Sequence, residues 1–163
     1  MNITKKIIIT DTNIITDLNN ANILEKFINL DNVYISDMIK NDELNEKTCN
    51  VRLISKFKVI ETSPHQLVEI TTLHNKEKKL SKYDLLNFVI ARDNNCILAT
   101  GDNRLKIFSE NNGIEVIRTL KIIKLMNKNN IISNNDAINA CILLKNCPDT
   151  RIPKNDIDNL IKE

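Results

Sequence analysis

Asp11, the pair Asp42/Glu43, Asp84 and Asp102 are the residues of this chain whose types and placement could do chemistry. Asp11 ends a run of isoleucines, and Asp102 ends a second apolar run. Asp84 falls in the first turn of an apolar helical stretch, and Asp42/Glu43 on a helix after the second predicted strand. Carboxylates gathered without counter-cations repel, and their ionisation is costly. Hard divalent cations such as Mg²⁺ or Mn²⁺ remove that cost and prefer oxygen ligands. A site of that kind activates water and stabilises charge in phosphodiester hydrolysis. Each acid also has a plainer reading. Asp11 and Asp102 are placed to cap the helices that follow them, and Ser81-x-x-Asp84 has the form of a capping box. Asp42 and Glu43 read equally as exposed helix charges. These plainer readings are independent of one another, whereas one fold that brought the acids together would explain them all.

The elements that must position these residues follow from hydrophobic period and turn chemistry. Residues 5–10 form a first strand whose β-branched run suits a central parallel strand covered on both faces. Apolar positions from Asn13 to Leu30 predict two short helices broken near Asn19-Asn20. Val33-Tyr34-Ile35 is a second strand, and Ser36 caps a helix running to Leu44. Residues 46–56 read as another helix and Phe57–Ile60 as a third strand, and Pro64 opens the next helix. Lys82 to about Asn94 is the clearest helix, apolar around most of its circumference. Cys96–Thr100 is a fourth strand ending in Gly101-Asp102, Asn103 to Glu110 is helical, and Ile114–Ile117 is the fifth strand. Beyond Leu120 the pattern is helical throughout, over about 120–127, about 135–146 and from Pro153. Strands alternating with helices predict an α/β fold, a doubly wound sheet of four to five mostly parallel strands with a helical C-terminal tail. Ligands of such sheets bind beyond the carboxyl ends of the strands, where Asp11 and Asp102 fall.

Composition bounds the rest. At 163 residues, with 42 % hydrophobic and 27 % charged residues, the chain fits one globular unit over 1–163. Its core is about 5–118 and its helical extension about 119–163. Aromatics are 4 %, so isoleucine, leucine and valine must build the core. A net charge of +2 neither requires nor excludes a nucleic-acid partner. No signal pattern and no membrane-length apolar run is present, which predicts a cytoplasmic protein. Cys49, Cys96, Cys141 and Cys147 lack zinc-site spacing and read as reduced structural thiols; His65 and His74 read as surface residues.

One ordered set carries a resemblance. It runs from the strand ending in Asp11-Thr12-Asn13, through Val33-Tyr34-Ile35-Ser36 and Asp42-Glu43-Leu44, to Leu80-Ser81-x-x-Asp84 with Ala91 seven residues on, and then Leu98-Ala99-Thr100-Gly101-Asp102-Asn103-Arg104-Leu105. Over residues 5–118 this resembles a PIN-domain ribonuclease, and compact chains of this kind resemble the VapC-type toxins of VapBC toxin–antitoxin pairs. The resemblance implies a PIN-like fold and an endoribonuclease dependent on Mg²⁺ or Mn²⁺. Asp11, Asp84 and Asp102 match the family's acidic, metal-holding positions. Asn13 and Thr100 match supporting polar positions. The second acidic position stays open between Asp42, counted from Ser36, and Glu43, taken from the Glu-Leu pair. The implied reaction is attack of water on the scissile phosphorus, assisted by one or two ions held by the carboxylates.

Lys78, Lys79, Arg92 and Arg104 are candidates for the RNA backbone, although each alone reads as a solvated charge. Implied partners are RNA, an antitoxin protein and a second copy in a homodimer, with no membrane. The helical tail departs from the shortest family members; packing on its own domain is the default, and a dimer or antitoxin surface the sharper alternative. Two rivals remain. A haloacid-dehalogenase-like phosphatase also places an Asp after its first strand, but it needs a second Asp two positions on, where this chain has Asn13. A catalytically inactive PIN-like interaction protein is the other.

Overall fold

Parallel pairing of five short strands organises the chain. β1 (Ile8–Thr10), β2 (Val33–Ser36), β3 (Lys58–Ile60), β4 (Ile97–Ala99) and β5 (Val116–Ile117) form one sheet in the order β3-β2-β1-β4-β5. All four pairings are parallel, with Ile9 beside both Tyr34 and Leu98. The structure is a computed structural model that describes residues 3 and 5–162. The outermost residues of the expected 1–163 unit therefore lie outside the described residues.

β1 and β4 are buried at every position, which is why their sequences are continuous apolar runs rather than alternating ones. The chain leaves β1 to lay down β2 and β3 on one side, then returns to lay down β4 and β5 on the other. The order reverses between β1 and β4, and in open α/β sheets the crevice at that reversal is where ligands bind. The expected strands are thus present and all parallel; β1, β3, β4 and β5 are shorter than predicted, and β2 extends one residue further, to Ser36.

Between the strands lie α1 (Thr12–Asn20), α2 (Leu24–Ile28), α3 (Asp37–Asp42), α4 (Val51–Ile54), α5 (Pro64–Lys76), α6 (Lys82–Asp93) and α7 (Asn103–Asn111). α8 (Thr119–Lys128), α9 (Asn134–Asn146) and α10 (Lys154–Lys162) follow. α6 is the central helix. It buries every residue from Leu85 to Ala91 and packs on β1, β2, β4, α5 and α7. Its direction is antiparallel to the strands, so its first turn lies at their carboxyl edge and its last turn at the opposite edge.

Local chemistry sets the boundaries. Ser36 accepts a hydrogen bond from the Ile39 amide, and Ser63 with Gln66, Ser81 with Asp84 and Ser133 with Asp136 form complete capping boxes. Asn22, with φ 57°, turns the chain between α1 and α2, slightly later than the predicted break. Gly113 ends α7 with φ 79°, a left-handed geometry that glycine adopts without steric cost. The helix expected over 46–56 is reduced to α4. The Asn45 side chain accepts from the Lys47 amide, and the Thr48 hydroxyl accepts from the Asn45 amide, so side chains capture the backbone before a helix can start. Asn50 then caps α4 by accepting from the Arg52 amide.

The tail joins the same hydrophobic core. Ile122, Ile123 and Met126 of α8, Ala140 and Leu144 of α9 and Ile157 of α10 are buried, and α9 packs on α1, α8 and α10. Ile138, Ile142 and Leu143 of α9 stay exposed. The four cysteines are free, with Cys49, Cys96 and Cys141 buried; burial pushes the Cys96 thiol up to about 11. His65 is exposed, while His74 is half-buried with its Nδ1 3.0 Å from the Leu80 carbonyl oxygen. No described helix is long and apolar enough to cross a membrane.

Candidate active site at the strand switch point

Asp11 follows β1 directly, and its amide donates to the Ala99 carbonyl of β4 at 3.0 Å, so it sits in the crevice between the two strands. It stands at the N-cap position of α1, yet its side chain makes no cap hydrogen bond. The plain capping reading therefore fails at this residue. Instead the carboxylate is buried, 5 % exposed, and held by two neutral donors. Thr100 Oγ1 donates to Asp11 Oδ2 at 2.9 Å and Asn13 Nδ2 donates to the same oxygen at 3.0 Å. Desolvation by burial raises the Asp11 pKa from 3.8 to about 6; these two bonds oppose the rise, and the charge of Asp84 adds to it. Among the described residues no cation pairs with it.

Thr100 links this carboxylate to the next one. Its hydroxyl donates to Asp11 and accepts from the Asp102 amide at 3.1 Å. Asp102 caps α7, its Oδ1 accepting from the Arg104 and Leu105 amides at 2.8 and 2.9 Å. Oδ2 takes no part in that cap. Asp84 likewise fulfils its plain reading through one oxygen: Oδ2 accepts from the Ser81 amide at 2.7 Å, while the Asp84 amide donates to Ser81 Oγ. Both acids thus combine a structural bond with a second oxygen that the bond does not use.

The ambiguous pair separates by contact. Glu43 is half-buried just past α3, and its Oε2 accepts from the hydroxyl of Thr12, the residue after Asp11. Asp42 is exposed, and its Oδ2 accepts from the Tyr83 hydroxyl at 2.8 Å. Glu43 is therefore tied to the start of α1 and Asp42 to the start of α6.

Lys78 and Lys79 are exposed in the loop that leads into α6, and Arg104 is exposed in the first turn of α7. Arg92 is elsewhere. It lies in the last turn of α6, at the opposite edge of the sheet. Its guanidinium donates to both carboxylate oxygens of Glu69, at 2.6 and 2.9 Å, and to Asp93, so it clamps α5 to α6 away from the carboxylates. Arg118, which sequence reasoning passed over, does lie at this edge, directly after β5, and its Nη2 donates to the Gly101 carbonyl at 2.9 Å. Its position one residue past a strand was the available signal.

Among the described residues no group of three acidic, histidine or cysteine side chains is close enough to form a ready-made metal cage. A carboxylate as buried as Asp11, destabilised by a second carboxylate and lacking a cation, nonetheless fits a hard divalent ion. Mg²⁺ in particular is usually held by only one or two carboxylates and keeps several waters.

Comparison with protein families gives a match over residues 7–163 to the DUF3368 model, described as a PIN domain. The match runs past residue 118 and takes in the C-terminal helices. No curated protein and no solved structure matches the chain significantly. PIN domains are typically nucleases, and they generally use divalent metal ions. The matched span is almost the whole chain, and this protein belongs to the PIN-domain family.

Proposed function

We propose that the chain is an endoribonuclease dependent on Mg²⁺ or Mn²⁺, with Asp11 at the centre of its site. The observation that carries the reading is the environment of Asp11: buried, facing the charge of Asp84, without a cationic partner among the described residues, and fixed by Thr100 and Asn13. When bound, a divalent ion there supplies charge stabilisation at phosphorus and a more acidic water. Asp11, Asp84 and Asp102 are the residues to hold it. Thr100 and Asn13 keep the Asp11 carboxylate in one orientation. Glu43 is the second-position carboxylate in preference to Asp42, because it joins the start of α1 next to Asp11 whereas Asp42 is engaged by Tyr83. Lys78, Lys79 and Arg104 hold the RNA backbone by charge. The proposal extends to a toxin of a toxin–antitoxin pair, with exposed Ile138, Ile142 and Leu143 available to an antitoxin or to a second copy.

The phosphatase alternative loses its ground with the family membership, and Asn13 serves Asp11 as a hydrogen-bond donor where that alternative needs a second acid. The test is end-group analysis of single-stranded RNA incubated with the protein and Mg²⁺ or Mn²⁺. Attack by water leaves no 2′,3′-cyclic phosphate. Absence of cleavage with either ion, or cyclic ends formed equally well in chelator, contradicts the proposal.

A further inference from the structure

A cavity of about 320 Å³ opens beside the carboxylates. It shares a wall with them through Asn13, which donates to Asp11, and Gly101, which joins Thr100 to Asp102. The two meet closely, since a Cβ on Gly101 would stand 3.3 Å from the Asn13 Cβ. The far wall comes from the C-terminal extension and carries Arg151, Asp149 and Asp156, while Arg118 reaches in from the end of β5. Leu120, Ile152 and Pro153 supply apolar lining. The volume is at the small end of ligand pockets, about 300–1,000 Å³.

The charge pattern selects the ligand. Two guanidiniums alone would suit a phosphate, but Asp17, Asp149 and Asp156 line the same cavity, and three carboxylates repel an anion. What fits is a flat neutral group with acceptors for the arginines and donors for the aspartates. Unpaired RNA bases are read by hydrogen bonds along their edges and by stacking on aromatic rings or on arginine guanidiniums. With aromatics only 4 % of the chain, one of the two arginines takes the stacking role while the other donates to the base edge. Guanine meets both demands, with O6 and N7 as acceptors on one edge and N–H donors on the other. Resting on the nuclease reading above, we propose that this cavity holds an unpaired guanine next to the scissile phosphate, and that the C-terminal extension thereby sets base preference.

The test uses four labelled nonaribonucleotides, oligo-U carrying a central G, A, C or U. Binding to the full chain is followed by fluorescence anisotropy in chelator, and cleavage is mapped with Mg²⁺ or Mn²⁺. The G oligonucleotide should bind about tenfold tighter than the all-U one, and cleavage should fall beside the G. Asp156→Asn and Arg151→Ala should each bring the G affinity down toward the all-U value. Equal wild-type affinity for the four overturns the proposal whatever the variants do, as does a G preference that survives both substitutions. A G preference lost in both variants, without cleavage under any ion, leaves the pocket standing and removes the nuclease reading. Cleavage with no base preference in binding does the reverse.

Discussion

Replacing Asp11 by Asn should stabilise the metal-free protein, and the size follows from its surroundings. Burial holds the folded-state pKa at about 6 against an ordinary 3.8. The folded state therefore keeps its proton over a range in which the unfolded chain has lost it, so stability falls as pH rises from about 4 to about 6. The shift of about two units, at about 1.36 kcal/mol each, sets the cost of the ionised group near 3 kcal/mol at pH 7. An amide is close to the protonated acid in shape, and its oxygen still accepts from Thr100 and Asn13. For a chain of this length, Asp11→Asn should raise Tm at pH 7 in chelator by about 6–12 °C. At pH 4 the gain should shrink toward zero. Divalent ions should raise the wild-type Tm and leave the variant unmoved. Calorimetry at the two pH values, with and without Mg²⁺, measures all of this. An unchanged or lower Tm for the variant at pH 7, or a gain that persists at pH 4, refutes the assignment of Asp11 as a buried, uncompensated carboxylate.

Other substitutions separate structure from activity. Asp84→Asn and Asp102→Asn keep an oxygen for the Ser81 amide and for the α7 cap, so their Tm values should stay close to wild type while RNA cleavage is lost; the alanine variants should lose cleavage and about 1 kcal/mol of stability as well. Glu43→Gln should lower the cleavage rate by about 10-fold or more, and Asp42→Asn should leave it within about twofold, in parallel rate measurements. Thr100→Val removes the donor to Asp11 and the acceptor for the Asp102 amide, so the acidic limb of the pH–rate profile should move to higher pH, with a stability loss of about 1–3 kcal/mol. Arg92→Ala should leave RNA affinity and cleavage unchanged and cost at most about 1 kcal/mol, as its ion pairs with Glu69 and Asp93 are partly exposed.

Hydrophobic period made the sheet legible. Residues 5–10 read as a central strand covered on both faces and Cys96–Thr100 as a fourth strand, and the β1 and β4 within them occupy the two sides of the switch point. The ends of those strands then located Asp11 and Asp102. Two helix starts were legible from a capping serine, at Ser36 and Ser81, whereas the capping boxes at Ser63 and Ser133 emerge only in the structure. The short turn before α4 was not, because it depends on the Asn45 and Thr48 side chains bonding to backbone within four residues. Asp42 and Glu43 could not be ranked from spacing alone. The distinction lies in which helix each touches, and that is set by the packing of α3 against its neighbours. The place of Arg92 was hidden for a related reason. Composition shows a basic residue on the central helix, but only helix direction shows that its turn faces away from Asp84.

Whether Asp11 anchors a metal-dependent nuclease site is decided by RNA cleavage under matched conditions, with wild-type protein and Asp11→Asn, each in Mg²⁺, in Mn²⁺ and in chelator. Wild-type protein should cleave with either ion and not in chelator, and the variant should not cleave at all despite its higher thermal stability. Cleavage that persists in Asp11→Asn, or that proceeds without a divalent ion, would contradict that assignment of Asp11.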